Sequence, residues 1–153
     1  MCLITRFPKI ITKKDLVVYK ILEKDLTSPY LKYRYALNSL VISDLKVSDV
    51  ALINGGISTD YARYILPYEI WRSGIHYSKF NTYVQDLNLH LQVIENGLHS
   101  LRTWTDAIEY RNSLFFGYPV QIYRAIVPAG SALYINYRQI VSNQLIIKNI
   151  VEL

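Results

Sequence analysis

Residues 97–110 read GLHSLRTWTDAIEY, and the first four of them gather the residue types of a ligand pocket. Gly97 allows a backbone turn or a close approach to a bound molecule. His99 and Ser100 supply an imidazole and a hydroxyl, and the helix that follows offers free amide hydrogens at its start. Two readings fit. In one, Ser100 ends a strand or caps the helix while His99 fills a half-exposed edge. In the other, both line a pocket between the strand end and the helix.

Other chemistry is not spelled out. His76, His90 and His99 are spread too widely for a zinc-ligand pattern, and Cys2 is remote from all of them. No phosphate-binding GxxxxGK[ST] loop, GxGxxG turn or GxSxG elbow occurs. No motif calls for a metal or a tightly held cofactor. The opening MCLITRFPKIITKKDL has no apolar run of signal-peptide length, and no stretch approaches a membrane span. With a lone cysteine, this leads to the expectation of a soluble cytoplasmic protein without a membrane partner.

Lysine and arginine outnumber the acids by 17 to 12, a net charge of +5, which favours an anionic partner. A small nucleotide-like molecule or an acidic protein surface fits this modest excess, and nucleic acid ranks below them. The chain has 14 tyrosines against 4 phenylalanines and 2 tryptophans, many beside cations, as in PYLKYRY at 29–35. Tyrosine between cations can stack on bases. It also suits half-buried strands, where Tyr33 and Tyr35 would share one face and Lys32 and Arg34 the other.

The elements that must position these residues follow from periodicity. A length of 153 residues predicts one domain over 1–153. DLVVYKILE at 15–23 reads as a buried strand, and 29–35 as a second. SDLKVSDVALI at 43–53 predicts a helix capped by Ser43 or Asp44 and ended by Asn54-Gly55-Gly56. A short helix is expected over 58–66, and an irregular strand or strand pair over 68–80. Leu87, Leu89, Leu91 and Val93 alternate with polar residues, a half-buried strand ending in the turn 95–97. The helix after Thr103 or Thr105 carries Asp106 in its first turn and Trp104, Ala107, Ile108 and Arg111 at helical spacing, closed by Gly117 and Pro119. Strands are expected at 120–128 and on both sides of Ser142-Asn143, and PAGSALYI at 128–135 is expected to supply a turn and a short strand. The class is α+β: an antiparallel or mixed twisted sheet with a few helices.

VVYKIL, ENGLHSLRTWTDAIEY, VQIYRAIVPAGSALY and RQIVSNQLII, in that order, resemble the motif order of ADP-ribosyltransferase-like folds. In wording the chain is more similar to small bacterial and phage proteins of unassigned function that begin MCLI and carry a Gly-Phe-His-Ser stretch. The ADP-ribosyltransferase resemblance implies a basic or histidine residue on an early strand. It then implies a Gly-aromatic-Ser/Thr type motif, a helix whose small residue packs beneath that motif, and a last motif that supplies a glutamate. It would put Lys20, or Tyr19 beside it, at the phosphates or ribose of NAD. Gly97, His99 and Ser100 would shape the nicotinamide-ribose pocket, and Gln139 would stand near the place of the glutamate.

Glutamine can hold a hydrogen bond but brings no negative charge to an oxocarbenium-like state, and losing such a group costs on the order of 100-fold in rate. Glu95 or Glu109 could replace it only if the fold carried one into the pocket. The resemblance therefore implies a phage or mobile-element protein, non-catalytic or weakly catalytic. Its ligand would be NAD or another nucleotide-like molecule, or a host factor, which would suit a part in countering host defence. Two alternatives stay open: an interaction or structural module with a tyrosine-rich surface, and an active NAD-dependent ADP-ribosyltransferase.

Overall fold

The computed structural model describes residues 3–5, 7–29, 33–49, 92–114 and 119–151. Expectations for Cys2, for Tyr30 to Lys32, for the elements over 50–91 with Tyr61, Tyr64, His76 and His90, and for Gly117 lie outside the described residues.

Eleven strands and one helix are described: β1 Leu3–Thr5, β2 Ile10–Ile11, β3 Leu16–Glu23, β4 Leu40–Ile42, β5 Lys46–Asp49, β6 Gln92–Asn96, β7 Leu98–Leu101, α1 Trp104–Ser113, β8 Val120–Val127, β9 Ala132–Ile135, β10 Gln139–Ser142 and β11 Gln144–Ile150. Eight of them form one sheet in the order β2-β9-β10-β7-β3-β8-β11-β4, and β1-β6-β5 form a second. All the strand pairs are antiparallel.

The longest ladder joins β3 to β8, from Leu16 opposite Val127 to Glu23 opposite Val120. Both sequences are rich in β-branched residues because one face lies on the main core and the other is covered by α1 around Ile21 and Ile122, leaving Val17 and Arg124 exposed. One face carries Val18, Leu22, Tyr123, Ala125, Val127, Leu145 and Ile147, packed with Tyr35, Leu98, Leu133 and Ile140 into the main core. On the other face Ile21, Ile122 and Leu101 receive α1 through Ala107, the one fully buried residue of that helix, with Trp104 and Ile108 beside it. Thr103 caps α1, its hydroxyl oxygen accepting from the Asp106 amide at 3.1 Å and donating to the Asp106 carboxylate at 2.8 Å.

The smaller sheet packs by Leu3 and Ile94 on Tyr134 and Val141 of the larger one, with Leu45 alongside. Gly97 is the joint between the sheets, because β6 belongs to one and β7 to the other. Its φ of +143° lies where side chains are rarely found, and an added Cβ would sit 2.2 Å from Val141 Cγ1 and 2.7 Å from Leu45 Cδ2. Gly97→Ala is expected to lower stability by about 1–3 kcal/mol through overpacking and backbone strain. Urea unfolding checks this, and an unchanged midpoint would mean that the joint yields freely.

Three expectations are corrected. Residues 46–49 form strand β5, paired with β6 and closed by a Lys46–Glu95 ion pair at 3.3 Å, where a helix over 43–53 was expected. Ser and Asp favour turns as readily as helix caps, and the pairing surface of β6 decides between them. Residues 33–35 are not in a strand. Their backbone folds onto the turn after β3, Ser28 N–H donating to Tyr33 and Tyr35 N–H to Leu26. The Tyr33 and Tyr35 rings still meet edge to face at 4.8 Å. The third concerns the motif itself: His99 and Ser100 lie inside strand β7, and Thr103 rather than Ser100 caps the helix.

Candidate functional site

The large sheet is nearly divided between β3 and β7. These strands pair at a single position, Tyr19 opposite Leu101, while each is fully laddered to its other neighbour. Beyond that point the register would set Lys20 against Ser100 and Ile21 against His99, but no such pairs form. Instead the Lys20 ammonium crosses the gap and donates to the His99 carbonyl. A cleft of about 400 Å³ opens there, within the size range of small-molecule sites.

Side-chain alternation sends Lys20 and Ser100 to the face of the main core, and Tyr19, His99 and Gln139 to the opposite face. The cleft reaches both sets because it sits at the seam. Tyr35 and Tyr33 wall it on one side and Tyr110 of α1 contributes from the other, with Val41 and Ile42 adding apolar surface.

Lys20 is 9% exposed and is the charged residue of this lining. Among the described residues no carboxylate lines the cleft or pairs with it. The Tyr35 ring lies 5.4 Å from its Nζ, within cation–π distance. Burial without an opposing charge lowers the Lys20 pKa from 10.5 to about 8. Burial also pushes His99 down from 6.5 to about 3, with the Lys20 charge adding to the effect. The imidazole is therefore neutral at physiological pH. Tyr35 is pushed up to about 12, chiefly by burial, so it stays a neutral hydroxyl. His99 Nδ1 and the Ser100 hydroxyl are buried without a hydrogen-bond partner. Polar atoms in that condition cost roughly 1–3 kcal/mol each, and a bound molecule that reached them would recover it.

All six residues expected from the sequence, Tyr19, Lys20, Gly97, His99, Ser100 and Gln139, lie on this cleft. Gln139 is fixed from below by the β9–β10 turn. The Asn136 side-chain carbonyl accepts from the amides of Arg138 at 2.9 Å and Gln139 at 2.7 Å, and Arg102 donates to the Asn136 backbone carbonyl at 3.0 Å. The two acids considered as substitutes for the glutamate charge that Gln139 lacks are elsewhere. Glu95 pairs with Lys46, and Glu109 pairs with Arg138 at 3.0 Å.

Sequence reasoning did not nominate Tyr35, Tyr110, Val41 or Ile42 as site residues. Tyr110 stands three residues after Ala107 and so follows the buried stripe of α1, a signal that was present. Tyr35 had only its place in PYLKYRY, and Val41 and Ile42 had none. Among the described residues Tyr33, 49% exposed, is the one exposed tyrosine.

Among the described residues no group of three His, Cys, Asp or Glu side chains is placed to hold a metal, and no helix is long and apolar enough to cross a membrane. Comparison with protein-family models, curated proteins and solved structures finds no match for the chain.

Proposed function

We propose that the cleft binds a small nucleotide-like anion and that the protein is a binding module with little or no catalytic activity. The observation that carries this reading is Lys20, a buried cation that no carboxylate balances among the described residues, at the mouth of a gap between strands. A phosphate beside it would restore its charge balance. A base or ribose could lie along Tyr33 and Tyr35, and Ser100 and His99 could take hydrogen bonds from hydroxyl groups or give them.

The arrangement supports the ADP-ribosyltransferase-like reading in outline. Lys20 is on an early strand, Gly97 leads into the strand beside it that carries His99 and Ser100, Ala107 packs beneath that strand from α1, and Gln139 stands on β10, the second strand after the Pro128-Ala129-Gly130 turn. Gln139 also argues for binding rather than transfer. It has no charge with which to steady a departing nicotinamide, and neither Glu95 nor Glu109 lines the cleft. A phage or mobile-element protein acting on a host nucleotide signal, or on a host factor, fits such a module.

Thermal shift tests the proposal. NAD, ADP-ribose, cyclic nucleotides and short oligonucleotides are compared on the wild type and on His99→Ala. At a hundredfold excess over Kd, binding adds about 2.7 kcal/mol, or roughly 5–10 °C in Tm for a domain of this size. The expected result is such a shift with at least one mononucleotide or dinucleotide, reduced or lost in His99→Ala. No shift with any of them would remove the nucleotide reading. Nicotinamide release from NAD by the wild type would replace binding with transfer.

A further inference from the structure

The geometry points to a second property of the same cleft: the Lys20 side chain is a nucleophilic amine that condenses with an aldehyde or ketone admitted between β3 and β7. This does not depend on the nucleotide reading, because it concerns the free cleft.

Three features place Lys20 apart from an ordinary lysine. Its ammonium group is held in a gap walled by Tyr35 and apolar side chains, fixed by a single hydrogen bond to the His99 carbonyl. A carboxylate, which would keep it protonated, is absent from the lining among the described residues. Two buried polar atoms without partners, His99 Nδ1 and Ser100 Oγ, belong to residues of the same cleft. A lysine desolvated in an apolar pocket is a recognised way of making an amine nucleophile. With burial lowering its pKa to about 8, roughly a quarter of Lys20 is neutral amine at pH 7.5, against about 0.1% for a lysine at its ordinary value.

The step balances without an oxidant or reductant. The Lys20 nitrogen lone pair attacks the carbonyl carbon, the C–N bond forms, and the carbonyl π electrons pass to oxygen, which takes a proton as the nitrogen gives up one of its two. The carbinolamine then loses hydroxide, which leaves as water with a proton supplied from the site, and the nitrogen gives up its remaining proton to form the neutral imine. Amine and carbonyl become imine and water. The Ser100 hydroxyl, and neutral His99 in either tautomer, are the groups of this lining able to pass those protons. The compounds admitted are small and carry an aldehyde or ketone on a flat or apolar body that fits the tyrosine wall.

The test is reductive trapping. The full chain is mixed with benzaldehyde and sodium cyanoborohydride at pH 7.5, and the modified lysines are located by peptide mass mapping. Lys9, Lys13, Lys14 and Lys24 are exposed and serve as internal standards, and mapping separates the N-terminal amine. The expected result is labelling of Lys20 at least tenfold faster than each standard, with a pH–rate midpoint near 8. Labelling of Lys20 no faster than the standards, or a midpoint near 10, would overturn the inference. Lys20→Arg keeps the cation and the hydrogen-bond donor and is expected to fold and lose only the fast label. A fast label that persisted in that variant would place the reactive amine elsewhere and equally end the proposal. Nucleotide thermal shifts are read without aldehyde, so the two readings can fail independently.

Discussion

Lowering the pH from 7.5 to 4 is expected to remove about 3 kcal/mol of folding stability from the wild type that His99→Gln does not lose. The sign follows from proton binding. In the unfolded chain His99 takes its proton near 6.5, whereas in the fold burial and the Lys20 charge hold it down to about 3. Between those values the unfolded state binds more protons, so acid favours unfolding. The stability is fully present above 6.5 and drains as the pH falls toward 3. Carboxylates titrate around pH 4 in both proteins, so their contribution cancels in the difference. Urea titrations of both proteins at half-unit pH steps would give the difference directly. Parallel decline in the two would mean that His99 reaches water and titrates normally, and the cleft would then be wetter than its geometry indicates.

The second large effect lies on the alkaline side and has the opposite function in the site. Wild-type stability is expected to rise by about 2 kcal/mol between pH 8 and 10, and in Lys20→Met this rise should vanish. Lys20 loses its proton near 8 in the fold but near 10.5 in the unfolded chain. Over that interval the unfolded state binds more protons, so stability climbs with pH and the handicap of a buried charge is relieved. Above 10 the sign reverses for Tyr35. Its hydroxyl titrates near 10 when unfolded and near 12 in the fold, which limits the useful window to pH 8–10. A bound phosphate would hold Lys20 charged and flatten the rise, so the same titration with saturating ligand reports whether the anion lies at Lys20. A wild-type curve as flat as that of Lys20→Met would show the ammonium to be solvated.

These two groups also set the charge of the cleft. His99 is neutral across the physiological range and Lys20 is partly so, while Gln139 cannot titrate at all. The lining therefore offers one adjustable positive charge and a set of neutral hydrogen-bonding groups.

Much of the site was legible before the fold was known, and for local reasons. Lys20 could be placed on a strand because VVYKIL has the composition of one, and His99 and Ser100 were marked by their types beside a glycine and a helix cap. Thr103 or Thr105, with Asp106 in the first turn, announced α1, and the hydrogen bonds between Thr103 and Asp106 select the first of the two as cap. The turn at Asn143 and the strands around it were equally plain, since a polar pair interrupts two apolar runs.

Other features had no local signature. Two residues, Ile10–Ile11, form strand β2 only because β9 is there to pair with. Lys46–Asp49 became a strand because β6 presented an edge, against a capping signal that suggested a helix. Glu95 and Glu109 could be placed outside the cleft only once their partners Lys46 and Arg138 were located.

By itself, the sequence determined the strands β3, β8, β10 and β11 and the helix α1, with its cap narrowed to Thr103 or Thr105. These follow from backbone preference, hydrophobic period and hydrogen bonds between near neighbours. The tertiary structure alone decided that β3 and β7 meet at Tyr19 and Leu101 and then part, that Lys20 fills the gap, and that no described acid accompanies it there. Those outcomes depend on residues some 80 positions apart competing for the same space and the same hydrogen bonds. No local pattern encodes a ladder that stops after one pair.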